Sequence, residues 1–200
     1  MSNFQQKLHE IIRVDHAGEL GAKVIYDGQI AALKLKKDYQ TLELVKQMKI
    51  QEDAHFNYFD GEIRNQKIRP TFMQPAWKIV GFALGFLTAL IDKKAAMTCT
   101  TAVEEVIDEH YQEQLKILEK LVPSEGGSEE VNSDGGEFLD KNQRQLVEEL
   151  KRKIAKFREE ELEHRDIGFQ HGASDFKGFK PLSAFIKFSA KFAIALSKRV

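Results

Sequence analysis

The sequence predicts an all-α protein, a four-helix bundle with further apolar and amphipathic helices beside it, and three observations carry that expectation. Apolar residues recur at helical spacing through four long runs. The prolines, Pro70, Pro75, Pro123 and Pro181, fall at the edges of these runs or between them. A pattern of Glu, Tyr and Gln appears twice, in the first and third runs, as it would in two stacked helical hairpins.

In the first run, Phe4 to Leu35, the residues Leu8, Ile11, Ile12, Ile25, Ile30 and Leu33 mark one helix. The second, Asp38 to Asn65, carries Leu42, Leu44, Val45, Met48, Phe56 and Ile63 and is closed by Arg69-Pro70. A change of character follows, because Ile79 to Ile91 contains no charge. That uncharged stretch is too short to cross a bilayer and suits a re-entrant or interfacial segment, with Trp77 beside Lys78 at a headgroup boundary. A buried core helix fits the same pattern. The third bundle helix spans Lys93 to Leu121.

Residues 123–140, rich in Gly, Ser, Glu and Asp, read as a mobile acidic loop, too polar to order itself. The fourth helix, Lys141 to Phe169, has an apolar stripe at Leu146, Leu150, Ile154 and Phe157. Residues 181–200 form a basic amphipathic helix, with Leu182, Phe185, Ile186, Phe192, Ala193 and Leu196 on one face and Lys187, Lys191 and Lys198 elsewhere. Such a helix either lies on a membrane surface or docks on the bundle.

The 200 residues fit one domain, residues 1–200, and 30 basic against 31 acidic side chains give no field suited to a nucleic-acid partner. Cys99 is the single cysteine, so no internal disulfide or thiolate metal cluster can form, which suits a reducing compartment. The start, MSNFQQKLHE, has neither a signal nor a transit pattern, and reads as bacterial and cytoplasmic or as already processed.

Glu52-Asp53-Ala54-His55 and Glu161-Leu162-Glu163-His164 each place a carboxylate and an imidazole three residues apart, on one face of a helix. Glu19, Tyr26 and Gln29 share their spacing with Glu104, Tyr111 and Gln114, and each copy precedes a Glu-x-x-His. The interval from Glu19 to Glu52 is 33 residues and that from Glu104 to Glu161 is 57, a difference close to the length of the acidic loop. Glu19, Glu52, His55, Glu104, Glu161 and His164 therefore make one inward-facing set, the ligand set of ferritin-like two-metal bundles. Four buried carboxylates need cations to neutralise them, and carboxylate with imidazole suits iron or manganese. Glu105, Glu109, Glu113, Glu148, Glu149, Glu159, Glu160 and Glu163 read as solvated faces. Asp15, His16 and His110 lie near the set, as partners of the ligands, proton carriers or plain surface residues; His9 and His171 have no assigned role. Tyr26 and Tyr111 either assist electron or proton transfer or pack in the core with satisfied hydroxyls.

The phrases Ile12-Arg13-Val14-Asp15-His16-Ala17-Gly18-Glu19, Gln51-Glu52-Asp53-Ala54-His55, Gly81-Phe82-Ala83-Leu84-Gly85, Ala102-Val103-Glu104-Glu105 and Glu160-Glu161-Leu162-Glu163-His164-Arg165-Asp166-Ile167-Gly168 resemble the 5-demethoxyubiquinone hydroxylase family over nearly the whole chain. The family's ligand positions fall on the same six residues. The resemblance implies a monooxygenase of ubiquinone biosynthesis that uses two iron ions, dioxygen and reducing equivalents from NADH. It implies a demethoxyquinone lipid as substrate and a peripheral place on the cytoplasmic face of a bacterial inner membrane, or the matrix face of the mitochondrial one. A lipid-binding partner protein and a homo-oligomer are compatible with it. By their spacing from the ligands, Tyr26, Tyr111 and His110 are candidate assisting residues. No Gly-x-Gly-x-x-Gly turn is present, so electrons would arrive through the quinone itself or a separate reductase. The longer acidic loop departs from the family pattern.

Two other readings share these residues. A ferritin-like bundle for iron storage or peroxide reduction carries the same ligands, since fold alone does not choose; the apolar segment and basic tail favour a membrane-borne lipid. A non-enzymatic helical scaffold would leave the Glu and His side chains on solvated faces.

Overall fold

The computed structural model describes residues 3–122 and 140–199. Its helices are α1 (Asn3–Lys36), α2 (Tyr39–Asn65), α3 (Gln74–Ile91), α4 (Lys93–Leu121), α5 (Lys141–Gln170) and α6 (Phe179–Ser197), with a short 3-10 turn at Ala173–Asp175. The described residues thus form an all-α, ferritin-like bundle, in which α1 pairs with α2 and α4 with α5. The expected acidic loop lies outside the described residues except for Asp140.

Helix boundaries follow from local chemistry. Asp38, Asp92 and Asp140 each accept a backbone N–H in the first turn of α2, α4 and α5, and Asp140 with Gln143 completes a reciprocal capping box. The turn after α1 places Lys37 at φ 59° and returns the Asp38 N–H to the Leu33 carbonyl. After α5 the left-handed turn falls on Gly172, at φ 87°, where a side chain would be strained.

Two apolar clusters fill the bundle. One gathers Phe59, Ile63, Leu118, Val147, Leu150 and Ile154; the other gathers Leu33, Leu42, Val45, Met48, Ala96 and Met97. On α2 and α5 the Glu-x-x-His motifs lie between these clusters. Val147, not Leu146, is the fully buried residue at the start of the α5 stripe.

The apolar segment is longer than its uncharged core, since α3 begins at Gln74, with Pro75, Trp77 and Lys78 in its first turns. At 18 residues α3 is long and apolar enough to cross a membrane by length and composition alone, which corrects the expectation that it is too short. It is not a buried core helix either. Gly81, Gly85, Thr88 and Ala89 face the bundle, whereas Ile79, Val80, Leu87 and Ile91 are more than half exposed. Glycine permits this seating: a Cβ on Gly85 would collide with the Ile25 carbonyl of α1, and one on Gly28 with the Phe82 carbonyl of α3.

Helix α6 begins at Phe179, two residues before the expected Pro181, and packs on α4. Lys187 pairs with Glu105 at 2.7 Å and Lys191 with Glu109 at 2.6 Å, so these lysines face α4. Ile186 is buried, but Phe185, Phe188 and Phe192 remain exposed. The helix docks on the bundle and still presents an apolar face.

Candidate metal centre

Glu19, Glu52, His55, Glu104, Glu161 and His164 converge in the bundle interior, and none is more than 1% exposed. Helix α1 supplies Glu19, α4 supplies Glu104, and the motifs on α2 and α5 supply the rest. Glu161 stands between the two imidazoles, 3.0 Å from His55 Nδ1 and 3.3 Å from His164 Nδ1. His164 Nδ1 lies 3.0 Å from Glu52, and His55 Nδ1 lies 3.7 Å from Glu19.

The charges shift one another's protonation. At His55, burial disfavours the cation, but Glu161 and Glu19 outweigh it and the imidazole is pushed up to about 12. His164 is pushed up to about 9 by Glu161 and Glu52 against the same burial cost. At Glu161 burial is in turn overcome by the two imidazoles, which hold its carboxyl below the usual carboxylate range. Burial and the charge of Glu161 raise Glu52 to about 8. Burial raises Glu104 and Glu19 as well. The protein alone therefore holds the cluster together with protons.

Protons leave the donor set incomplete. Glu19 Oε2, both oxygens of Glu52, Glu104 Oε2, Glu161 Oε2 and His164 Nδ1 are buried without a hydrogen-bond partner among the described residues. Unpaired polar atoms of this kind cost free energy unless something else binds them. Two groups of four residues, Glu19–Glu52–His55–Glu161 and Glu52–Glu104–Glu161–His164, each offer one ligand atom per residue within 4.8 Å of one another. They share Glu52 and Glu161. The buried cluster can hold a metal, and its oxygen and imidazole donors fit iron.

The tyrosines of the repeated pattern cross the bundle. Tyr26 on α1 donates to Glu104 on α4 at 2.7 Å, and Tyr111 on α4 donates to Glu19 on α1. Both are buried with satisfied hydroxyls, and the acceptors are carboxylates of the cluster. Gln29 binds the Ala96 carbonyl and Thr100. Gln114 donates to Asp15 at 2.6 Å. His110, 3.5 Å from Asp15, belongs with Asp15 and Gln114 in a separate polar group. His16 is buried between Asp60 and Gln74 beside the Phe56 ring. His171 is exposed at the end of α5.

Two neighbours of the cluster escape a reading by residue type. Glu160, expected on a solvated face, accepts from His55 Nε2 at 2.8 Å, and Gln51 accepts from His164 Nε2 at 2.6 Å. The available signal is positional, because each immediately precedes the Glu of a Glu-x-x-His.

An apolar cavity of about 330 Å³ lies beside the centre, between α1, α3, α4 and α6. Gly18 and Val103 line it one residue before Glu19 and Glu104, and Val80, Phe188 and Phe192 line it where they are exposed. None of the six cluster residues lines the cavity, which opens at the exposed apolar face of α3 and α6.

Residues 6–197 match the family described as ubiquinone biosynthesis protein COQ7. The chain is 42% identical over 196 residues to the NADPH-dependent 3-demethoxyubiquinone 3-hydroxylase, mitochondrial, of Dictyostelium discoideum, covering 98% of this chain and 79% of that protein. It is 41% identical over 193 residues to the 3-demethoxyubiquinol 3-hydroxylase of Rhodospirillum rubrum, covering 96% and 78%. Identity to the 5-demethoxyubiquinone hydroxylase, mitochondrial, of Saccharomyces cerevisiae is 36% over 200 residues, covering 96% and 78%.

Proposed function

The chain belongs to the ubiquinone biosynthesis protein COQ7 family, and from that premise we propose that it is a di-iron monooxygenase that hydroxylates the ring of a demethoxyubiquinone. The observation that carries the reading is the pair of interlocked Glu/His groups, sharing Glu52 and Glu161, beside an apolar cavity.

Glu19 and His55 would hold one iron, Glu104 and His164 the other, with Glu52 and Glu161 common to both. When bound, the iron pair supplies activation of dioxygen and transfer of one oxygen atom to a ring carbon. Each imidazole would hold its metal through a deprotonated Nδ1, with Nε2–H kept on Glu160 for His55 and on Gln51 for His164. Tyr26 and Tyr111 hold Glu104 and Glu19 in position. The apolar clusters on either side keep water away from the centre.

The cavity accepts the ring and the start of an isoprenoid tail, and the exposed faces of α3 and α6 rest in the lipid from which that substrate comes. This is a peripheral place on the cytoplasmic face of a bacterial inner membrane or the matrix face of a mitochondrial one. Reducing equivalents come from a nicotinamide nucleotide: the resemblance implies NADH, whereas the names of several relatives say NADPH. Expression in a strain lacking its own demethoxyubiquinone hydroxylase tests the reading. Restored ubiquinone supports it; continued accumulation of the demethoxy precursor, with the protein present and metal-loaded, contradicts it.

A further inference from the structure

We infer that Gln51 and Glu160 are reciprocal positioning residues that make the two metal positions unequal, with the Glu19–His55 position the tighter binder of divalent metal. The inference rests on the two-metal reading of the centre.

The hydrogen bonds exchange partners across the bundle. Gln51, just before the α2 motif, accepts from His164 of α5, and Glu160, just before the α5 motif, accepts from His55 of α2. A carboxylate can only accept, so His55 Nε2 carries a hydrogen and Nδ1 is the atom left to bind metal. That nitrogen is the one facing Glu161 and Glu19, at 3.0 and 3.7 Å. The Gln51 carbonyl imposes the same choice on His164, whose Nδ1 faces Glu52 and Glu161 at 3.0 and 3.3 Å. The two imidazoles thus meet the centre with the same nitrogen, through equivalent helix positions.

What differs is charge. An anionic acceptor on the far nitrogen pushes electron density into the imidazole and makes Nδ1 a stronger donor, more so than a neutral amide carbonyl. Glu160 is held in place by Lys156, whose Nζ lies 2.7 Å from its other oxygen. Glu52 and Glu161 belong to both groups of ligand atoms. The difference between Gln51 and Glu160 therefore falls on the terminal ligands alone.

Anaerobic titration of the metal-free full-length chain with Co2+, followed by visible absorption and a competing chelator, tests this. The wild type is expected to fill in two resolved steps. Glu160→Gln should weaken the tight step by about 10–100-fold, the usual effect of losing such a partner, and bring the steps together. Gln51→Glu should strengthen the weak step. The double variant Gln51→Glu/Glu160→Gln, whose net charge equals that of the wild type, should recover two separated steps, which a merely structural role for either residue would not produce. Two Co2+ bound in steps indifferent to these substitutions, in chains with unchanged circular dichroism, overturn the inference and leave the proposed function standing. A wild type that binds no metal overturns both.

Discussion

The Tyr26 hydroxyl on α1 donates to Glu104 Oε1 on α4 at 2.7 Å, the same step along the pattern that Tyr111 on α4 takes back to Glu19 on α1. Each repeat of the Glu and Tyr spacing therefore holds the carboxylate of the other, and the repetition in sequence has a cross-bundle hydrogen bond as its physical content. Removing either hydroxyl leaves a buried carboxylate oxygen without its donor. Tyr26→Phe and Tyr111→Phe should each cost about 1–3 kcal/mol in the metal-free protein, read by thermal or urea unfolding. Unfolding unchanged in both variants would show that the hydroxyls contribute nothing to the carboxylates.

The metal-free protein should lose stability as the pH rises. His164, ordinarily 6.5, is raised to about 9 by Glu161 and Glu52 against burial, so its contribution is complete below pH 6.5 and lost as the pH climbs through 9. Glu52 is raised from 4.5 to about 8 by burial and Glu161, so burying its charge costs progressively more from pH 4.5 to 8. Both effects lower stability together between pH 6.5 and 8, and the fall continues through His164 to pH 9. Glu161, held low, acts only in acid below that window. A melting temperature that falls between pH 6 and 9 without metal, and falls less with it, is expected; a flat or rising profile in the metal-free protein contradicts these protonation states.

Metal loading should release protons at pH 7. His55 and His164, raised to about 12 and about 9 by the carboxylates around them against burial, carry Nδ1 protons that a metal must displace. Calorimetric titration in buffers of different ionisation enthalpy should give heats that differ by buffer, with affinity falling as the pH is lowered. Identical heats in all buffers would mean that the imidazoles are neutral beforehand.

Two glycine substitutions should move stability in opposite directions. A Cβ on Gly85 meets the Ile25 backbone of α1, so Gly85→Ala should destabilise by about 1–3 kcal/mol or more by forcing α3 away. A Cβ on Gly61, within α2, meets nothing within 4 Å, and Gly61→Ala should stabilise by about 0.5–1 kcal/mol. Equal effects on unfolding would argue against the α1–α3 seating.

Membrane attachment should depend on the exposed apolar faces. Ile79 and Phe188 are both 72% exposed, so charging them leaves the core untouched. The variant Ile79→Glu/Phe188→Glu should bind phospholipid vesicles about tenfold or more weakly in sedimentation, because two apolar side chains no longer enter the lipid, with its melting temperature unchanged. Undiminished binding would exclude these faces from substrate access.

The four bundle helices and the six converging residues are legible in the sequence because each rests on a local rule. Three-residue spacing on a helix needs no knowledge of neighbours, and aspartate caps and prolines mark the ends. Pairings between helices are not legible in this way. Glu105 looks like a solvated charge until α6 brings Lys187 to it, and Glu160 until the bundle closes on His55, whereas Glu109, paired with Lys191, stays exposed as expected. The extent of α3 escapes composition because Lys78 interrupts its apolar run without interrupting its helix.

The di-iron monooxygenase assignment stands or falls on the mass of the quinone product. Iron-loaded protein is supplied with a demethoxyubiquinone analogue, a reduced nicotinamide and isotopically labelled dioxygen, with Glu161→Ala as control. One labelled oxygen atom is predicted in the new ring hydroxyl, lost in the control because Glu161 belongs to both ligand groups. An unlabelled product, or none from protein holding its irons and given a competent reductase, would contradict the assignment.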